Sequence, residues 1–176
     1  EINALMKLLG HSLRKEIKDL IKNNVRFTFV GEINQLDNYI QNELIHAVDK
    51  TKNNTGLNLN LALNYGSRQE IITATKKIAR NVVNGELELD KINDIYFSNM
   101  LYTKGLPDPD LLIRTAGECR LSNFLLWQIA YTEIHISDKY WPDFGKKDLE
   151  NAIFDFESRE RRYGKISSQL KDSDNE

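Results

Sequence analysis

Apolar residues at Ile2, Leu5, Met6, Leu9, Leu13, Ile17, Leu20 and Ile21 recur at three- and four-residue intervals, which predicts an amphipathic helix of several turns. Leu8 falls off that stripe. The short apolar run over 25–30, closed by Gly31, predicts a strand, and Leu36, Tyr39, Ile40, Leu44, Ala47 and Val48 return to helical spacing. Asn53, Asn54 and Gly56 then turn the chain into 57–63, where Leu57, Leu59, Leu61 and Leu63 share one strand face. Ser67 and Glu70 read as a capping box for a helix over 69–83, ended by Asn84 and Gly85. Asp90 opens a weaker helix over 92–101, and Gly105, Pro107 and Pro109 mark a loop.

The second half repeats the alternation. Leu111, Leu112 and Ile113 predict a buried strand over 110–115 that delivers Arg114 at its carboxyl end, where open α/β sheets hold ligands. Ser122 and Asn123 are N-cap types for an apolar helix expected over 124–130, and 132–137 alternates as another strand. A last helix over 147–163 is expected to bury Leu149, Ala152, Ile153 and Phe156, and the polar tail 167–176 is expected to be disordered. Helices alternating with strands predict the α/β class, a mostly parallel central sheet with helices on both faces. The expected domain is single and runs over 1–166.

The chemistry concentrates between residues 114 and 133. Arg114 and Arg120 supply two guanidinium forks suited to phosphate oxygens, Ser122 a hydroxyl, and the expected helix start a set of backbone N–H groups. Glu133, read as lying beside that cradle, calls for a cation between carboxylate and phosphate, and Mg²⁺ is the usual bridge. Each feature has a duller reading. Glu133 alone reads as an ordinary ion-pair partner, Arg159, Arg161, Arg162 and Lys165 as solvated charges near a helix end, and Trp127, Tyr131 and Trp141 as core or interface aromatics. His11, His46 and His135 show no metal-ligand spacing, and Cys119 reads as inert.

Composition narrows the classes. With 176 residues the chain can bury about 70% of its unfolded surface. A net charge of −2 disfavours nucleic acid as a partner, a single cysteine forbids an internal disulfide, and no apolar run approaches the length that crosses a bilayer.

The run DLLIRTAGECRLSNFLLWQIAYTE followed by WPDF, with NYGSR at Asn64 to Arg68 and RERRYG at Arg159 to Gly164, resembles the cis-prenyltransferases, most closely the bacterial undecaprenyl diphosphate synthases. That resemblance implies the family's fold and a reaction in which isopentenyl diphosphate extends an allylic diphosphate, such as farnesyl diphosphate, in cis geometry to a long polyprenyl diphosphate. It implies that Arg114, Arg120 and Ser122 hold the diphosphate of isopentenyl diphosphate and that Glu133 helps hold Mg²⁺. Arg162 and Gly164 would reach the same diphosphate across a homodimer interface. It further implies a cytoplasmic enzyme with peripheral membrane contact for product release, and apolar faces of the first helix and the Leu57 strand that line a product tunnel. Two family segments, one with an Asp-Gly-Asn-Gly-Arg run and one with a Ser-x-Glu-Asn-Trp run, have no counterpart here. The expectation is therefore the C-terminal two-thirds of such a domain, with its first strands and catalytic aspartate outside this chain. The rival expectation is a non-catalytic scaffold subunit or inactive fragment of the same fold, and a third is a generic α/β phosphohydrolase, for which no nucleophile stands out near Arg114.

Overall fold

The computed structural model describes residues 2–159, and the tail over 167–176 lies outside them. Two compact units divide the chain, residues 1–105 and 106–176, each taken here by itself. The first runs α1 (Ile2–Lys22), β1 (Arg26–Val30), α2 (Asn38–Thr51), β2 (Asn58–Ala62), α3 (Ser67–Val83) and α4 (Asp94–Ser98), and the second β3 (Leu111–Arg114), β4 (Glu133–Ile136) and α5 (Lys146–Glu157). Strands pair in parallel in both units, β1 with β2 and β3 with β4, so the α/β class expected from the alternation is the one observed.

In the first unit the helical periodicity translates directly into a core. Leu13, Phe27, Ile40, Leu44 and Ala47 are buried together, with Leu9, Ile17, Leu20 and Leu61 packed around them. The amino-terminal part of the α1 stripe is not buried in the same way, since Leu5 is exposed, as is the off-stripe Leu8. Gly10 lets α1 approach α2, because a Cβ there would stand 2.7 Å from the Tyr39 ring. Gly31 ends β1 with φ +116°, and a Cβ at that position would lie 2.0 Å from the Leu63 carbonyl oxygen. Thr51, fully buried at the end of α2, donates its hydroxyl to the Ala47 carbonyl at 2.8 Å and accepts the Phe27 N–H at 3.0 Å. It thereby satisfies a β1 donor that the ladder leaves open.

Four expectations for individual elements are corrected. The cap of α3 is Gly66, not Ser67; Ser67 begins the helix and is buried. The Glu70 carboxylate instead accepts the Tyr65 hydroxyl at 2.5 Å and the Tyr102 N–H at 2.7 Å, since a carboxylate with 1% exposure must find donors inside the fold. The weak helix over 92–101 shrinks to α4, capped by Asn93, whose side chain accepts the Tyr96 N–H at 2.8 Å. The helix over 124–130 does not form: Ser122, Asn123 and Leu125 have φ of 50°, 62° and 46°, and the segment is a series of turns. A seven-residue helix must recover a costly nucleus by burying its apolar face, and Phe124, Leu126 and Trp127 stay 36–37% exposed. The last helix ends at Glu157 and buries Ala152 fully, with Leu149 and Ile153 exposed.

Replacing Thr51 by Val keeps the shape but removes the acceptor of the buried Phe27 N–H. Urea unfolding is expected to show a loss of about 1–3 kcal/mol; an unchanged midpoint would show that this hydrogen bond is dispensable.

Candidate diphosphate site

The site grows out of β3. Its ladder with β4 pairs Leu111 with Glu133, Leu112 with Ile134, Ile113 with His135 and Arg114 with Ile136. Arg114 therefore closes β3 at its carboxyl end, half-buried, and its carbonyl oxygen accepts the Ser137 N–H at 2.8 Å. Its guanidinium makes no hydrogen bond or ion pair with another described residue, so a cation stands ready at the strand end. Such an edge is where parallel sheets receive ligands.

Beyond Arg114 the loop doubles back over the end of β4. Ala116 and Gly117 adopt φ of 62° and 64°, and their N–H groups donate to the carbonyls of Lys139 and Ser137 at 2.8 and 2.9 Å. With Phe124 N–H donating to Leu121 O, these donors are spent inside the protein, and no helix dipole adds to them. The N–H groups from Cys119 to Ser122, by contrast, make no hydrogen bond to another described residue. Arg120 lies in this stretch and pairs with Glu118 at 2.6 Å. Its side chain is 71% exposed, and a pair so open to solvent is worth little and is readily exchanged for a better anion. The structure thus gathers Arg114, Arg120 and Ser122 on one strand end and the loop that follows it, with free backbone donors in place of the expected helix start.

Glu133 is placed elsewhere. It opens β4 three residues before the partner of Arg114, which is about 10 Å along the strand axis. Side chains alternate across a strand, so Glu133 and His135 share the face of Leu111 and Ile113, while Arg114 shares the other with Leu112. The expectation that Glu133 lies beside the arginines is corrected: the two are at opposite edges and on opposite faces of one ladder. Parallel register and the alternation of the pleat leave no other arrangement. Glu133 Oε2 instead accepts Arg159 Nη1 at 3.0 Å, Arg159 Nη2 reaches Asp155 Oδ2 at 2.6 Å, and Asp155 Oδ2 lies 2.9 Å from His135 Nδ1. The contact with His135, and then Arg159, holds the Asp155 carboxyl below its ordinary range, and Glu133 and then Asp155 hold the Arg159 guanidinium above its own. The sequence reading missed this network, although the four-residue spacing of Asp155 and Arg159 on a helix face was a signal for part of it. Arg162 and Gly164 lie outside the described residues.

Among the described residues no cluster of three His, Cys, Asp or Glu side chains could hold a metal ion. A single carboxylate, already paired with a guanidinium and turned away from Arg114, does not fit a Mg²⁺ shared with a diphosphate in this chain's own cradle. Concave surfaces lie elsewhere in both units. An apolar cleft of about 510 Å³ lies against Leu111, Ile113, Trp141, Phe144 and Leu149 in the second unit. In the first unit a polar cavity of about 490 Å³ sits beyond the carboxyl ends of β1 and β2, lined by Glu32, Gln35, Asn64, Tyr65 and Gln69. No helix among the described residues is long and apolar enough to cross a membrane.

A family model described as "Putative undecaprenyl diphosphate synthase" matches residues 1–164. The isoprenyl transferase of Clostridium tetani is 51% identical over 166 residues, covering 94% of this chain and 65% of that protein. A Legionella pneumophila protein named ditrans,polycis-undecaprenyl-diphosphate synthase ((2E,6E)-farnesyl-diphosphate specific) is 46% identical, covering 95% of this chain and 70% of its own length. Among solved structures, lavandulyl diphosphate synthase from Lavandula x intermedia, in complex with dimethylallyl diphosphate, superposes with a TM-score of 0.90 at 38% identity over 94% of this chain and 72% of that one. A probable undecaprenyl diphosphate synthase from Campylobacter jejuni superposes with a TM-score of 0.81 at 35% identity, covering 94% and 75%. The chain spans 65–66% of the length of the two clostridial relatives it matches.

Because its carboxyl is depressed in the folded state, Asp155 stabilises the fold above its ordinary value of 3.8 and loses that contribution as pH falls below it, through the lower folded value. The Asp155 carboxyl ¹³C resonance is expected to titrate with a midpoint under 3.8. A midpoint at or above that value would show that His135 and Arg159 do not engage it in solution.

Proposed function

This chain belongs to the undecaprenyl diphosphate synthase family, and from that premise we propose that it carries the isopentenyl diphosphate half of a cis-prenyltransferase site. The observation that supports this most is the carboxyl edge of β3. There Arg114 has no partner among the described residues, Arg120 is held only by an exposed ion pair, and four consecutive backbone N–H groups are open. Such a set accepts a diphosphate, because guanidinium forks and oriented N–H groups both match its oxygens.

In the proposed reaction the double bond of isopentenyl diphosphate attacks the allylic carbon of a second diphosphate, such as farnesyl diphosphate. A carbon–carbon bond forms, the allylic carbon–oxygen bond breaks, diphosphate leaves with the electron pair, and the isopentenyl unit loses a proton. Arg114, Arg120 and Ser122 hold the diphosphate that stays on the isopentenyl unit and so fix where its double bond points. This is positioning supported by charge neutralisation. Mg²⁺ is the cation this chemistry calls for, but the described residues of one chain do not assemble around it. The exposed Leu5, Leu8, Leu57 and Leu59 offer apolar surface for a growing product chain. Homodimerisation, with Arg162 and Gly164 reaching across, peripheral contact with a membrane and a cytoplasmic location belong to the same reading. A scaffold subunit would have no need of the open arginines.

Calorimetric titration of isopentenyl diphosphate, with Mg²⁺ present, tests this reading. Arg114→Ala and Arg120→Ala are each expected to weaken binding by about 1.5–3 kcal/mol, roughly 10- to 150-fold in Kd. Wild-type affinity in both variants would remove the β3 edge from the site and leave the scaffold reading.

A further inference from the structure

The polar cavity of about 490 Å³ at the carboxyl ends of β1 and β2 has no part in the diphosphate reading. Its wall is a closed circle of hydrogen bonds. Gln35 Nε2 donates to Glu32 Oε2 at 2.7 Å, and Asn64 Nδ2 donates both to Gln35 Oε1 at 3.2 Å and to the Glu32 carbonyl at 2.9 Å. All three partners are acceptors, which settles the nitrogen end of each amide. The circle therefore uses up donors and leaves acceptors: Asn64 Oδ1, which makes no hydrogen bond to another described residue, and the remaining lone pairs of Glu32 and Gln35. From behind, the Tyr102 hydroxyl donates to Glu32 Oε1 at 2.8 Å. Burial, and then that bond, hold the phenol above its ordinary range, so it keeps its proton.

Charge decides what such a wall accepts. Glu32 is half-buried and makes no ion pair with another described residue, so the cavity holds a carboxylate with no cation beside it. The start of α3 at Gly66 also lines the cavity and by itself would favour an anion. Glu70 in the first turn of α3 opposes that dipole, however, and an anion would have to lie against Glu32. Among the described residues no three carboxylate, His or Cys side chains converge on a metal ion. We propose that this cavity binds a primary alkylammonium ligand, its nitrogen seated on Glu32 and Asn64 Oδ1 and its alkyl chain against the Tyr65 ring. One positive charge then meets one carboxylate, and the three N–H donors of the ammonium find Glu32, Asn64 and the amide of Gln69, whose side chain makes no hydrogen bond with another described residue. The Tyr65 ring in the wall adds the attraction of an aromatic for a cation. A neutral alcohol has one donor and no charge, and gains little from a wall of acceptors.

The test is a pair of titrations of the whole chain at neutral pH, followed by amide ¹H–¹⁵N spectra, with n-butylamine as the probe and n-butanol as its uncharged match. The amine is expected to shift the resonances of Glu32, Gln35 and residues 64–69 saturably, and the alcohol to leave them in place. Glu32→Gln keeps the size and hydrogen bonding of the side chain but removes its charge, and is expected to weaken the amine by about 10- to 150-fold, the range for a hydrogen bond to a charged group. Gln69→Lys, at an exposed position outside the hydrogen-bonded circle, places a tethered ammonium at the mouth and is expected to abolish saturation even if Glu32→Gln does not fold. The proposal is overturned by absence of saturable shifts in the wild type, by equal shifts with the alcohol, or by wild-type affinity in either folded variant. None of these outcomes bears on isopentenyl diphosphate binding at the β3 edge, so the two readings fail separately.

Discussion

The parallel register of β3 and β4 is the constraint on which the site depends. Parallel strands send both carboxyl ends to one edge, so the ladder has a polarity that an antiparallel pair lacks. Arg114, the doubled-back loop and Arg120 lie at the carboxyl edge, and Glu133 with its partner Arg159 at the amino edge. A slip of one residue would carry Arg114 to the face of α5 and Glu133 away from Arg159. The separation of Arg114 from Glu133 is therefore a property of strand pairing, fixed before any side chain chooses a rotamer.

In the first unit two buried polar groups find partners inside the fold: Thr51 closes an open N–H of β1, and Glu70 gathers Tyr65 and Tyr102 around itself. From Tyr102 the hydroxyl reaches Glu32 at 2.8 Å, and Gln35 and Asn64 continue the chain of bonds around the mouth of the polar cavity. In the second unit the pair of Arg120 with Glu118 lies at the surface and is cheap to break. Buried networks specify one arrangement, whereas exposed pairs leave their members available to an incoming anion.

The elements set by local periodicity were legible. The stripe of α1, the spacing of α2 and the alternation in β2 could be read because a single helix or strand carries its own pattern. Arg114 could be placed for the same reason, as the last residue of an apolar run. Glu133 could not, because its edge and face depend on how β4 registers against a strand joined to it by 18 intervening residues, and nothing local encodes that pairing. The loop was misread for a different reason. Ser122 and Asn123 are as well suited to left-handed turns as to N-caps, and only the failure of Phe124, Leu126 and Trp127 to bury decides between them. At α3, Ser67 and Glu70 suggested by spacing that Ser67 was the cap, whereas the cap lies one residue earlier, at Gly66, and the buried Glu70 carboxylate accepts from Tyr65 and Tyr102.

Gly31 illustrates how tightly the other ladder is drawn. With the Leu63 carbonyl oxygen 2.0 Å from where a methyl would stand, the exits of β1 and β2 touch backbone to backbone, and the lip of the polar cavity is shaped by the absence of a side chain. Variation at this position therefore cannot tune the cavity by degrees. The smallest larger residue would spread the two strand exits, leaving the lip to be altered through Gln35, Asn64 or Tyr65 while the close backbone contact beside them stays fixed.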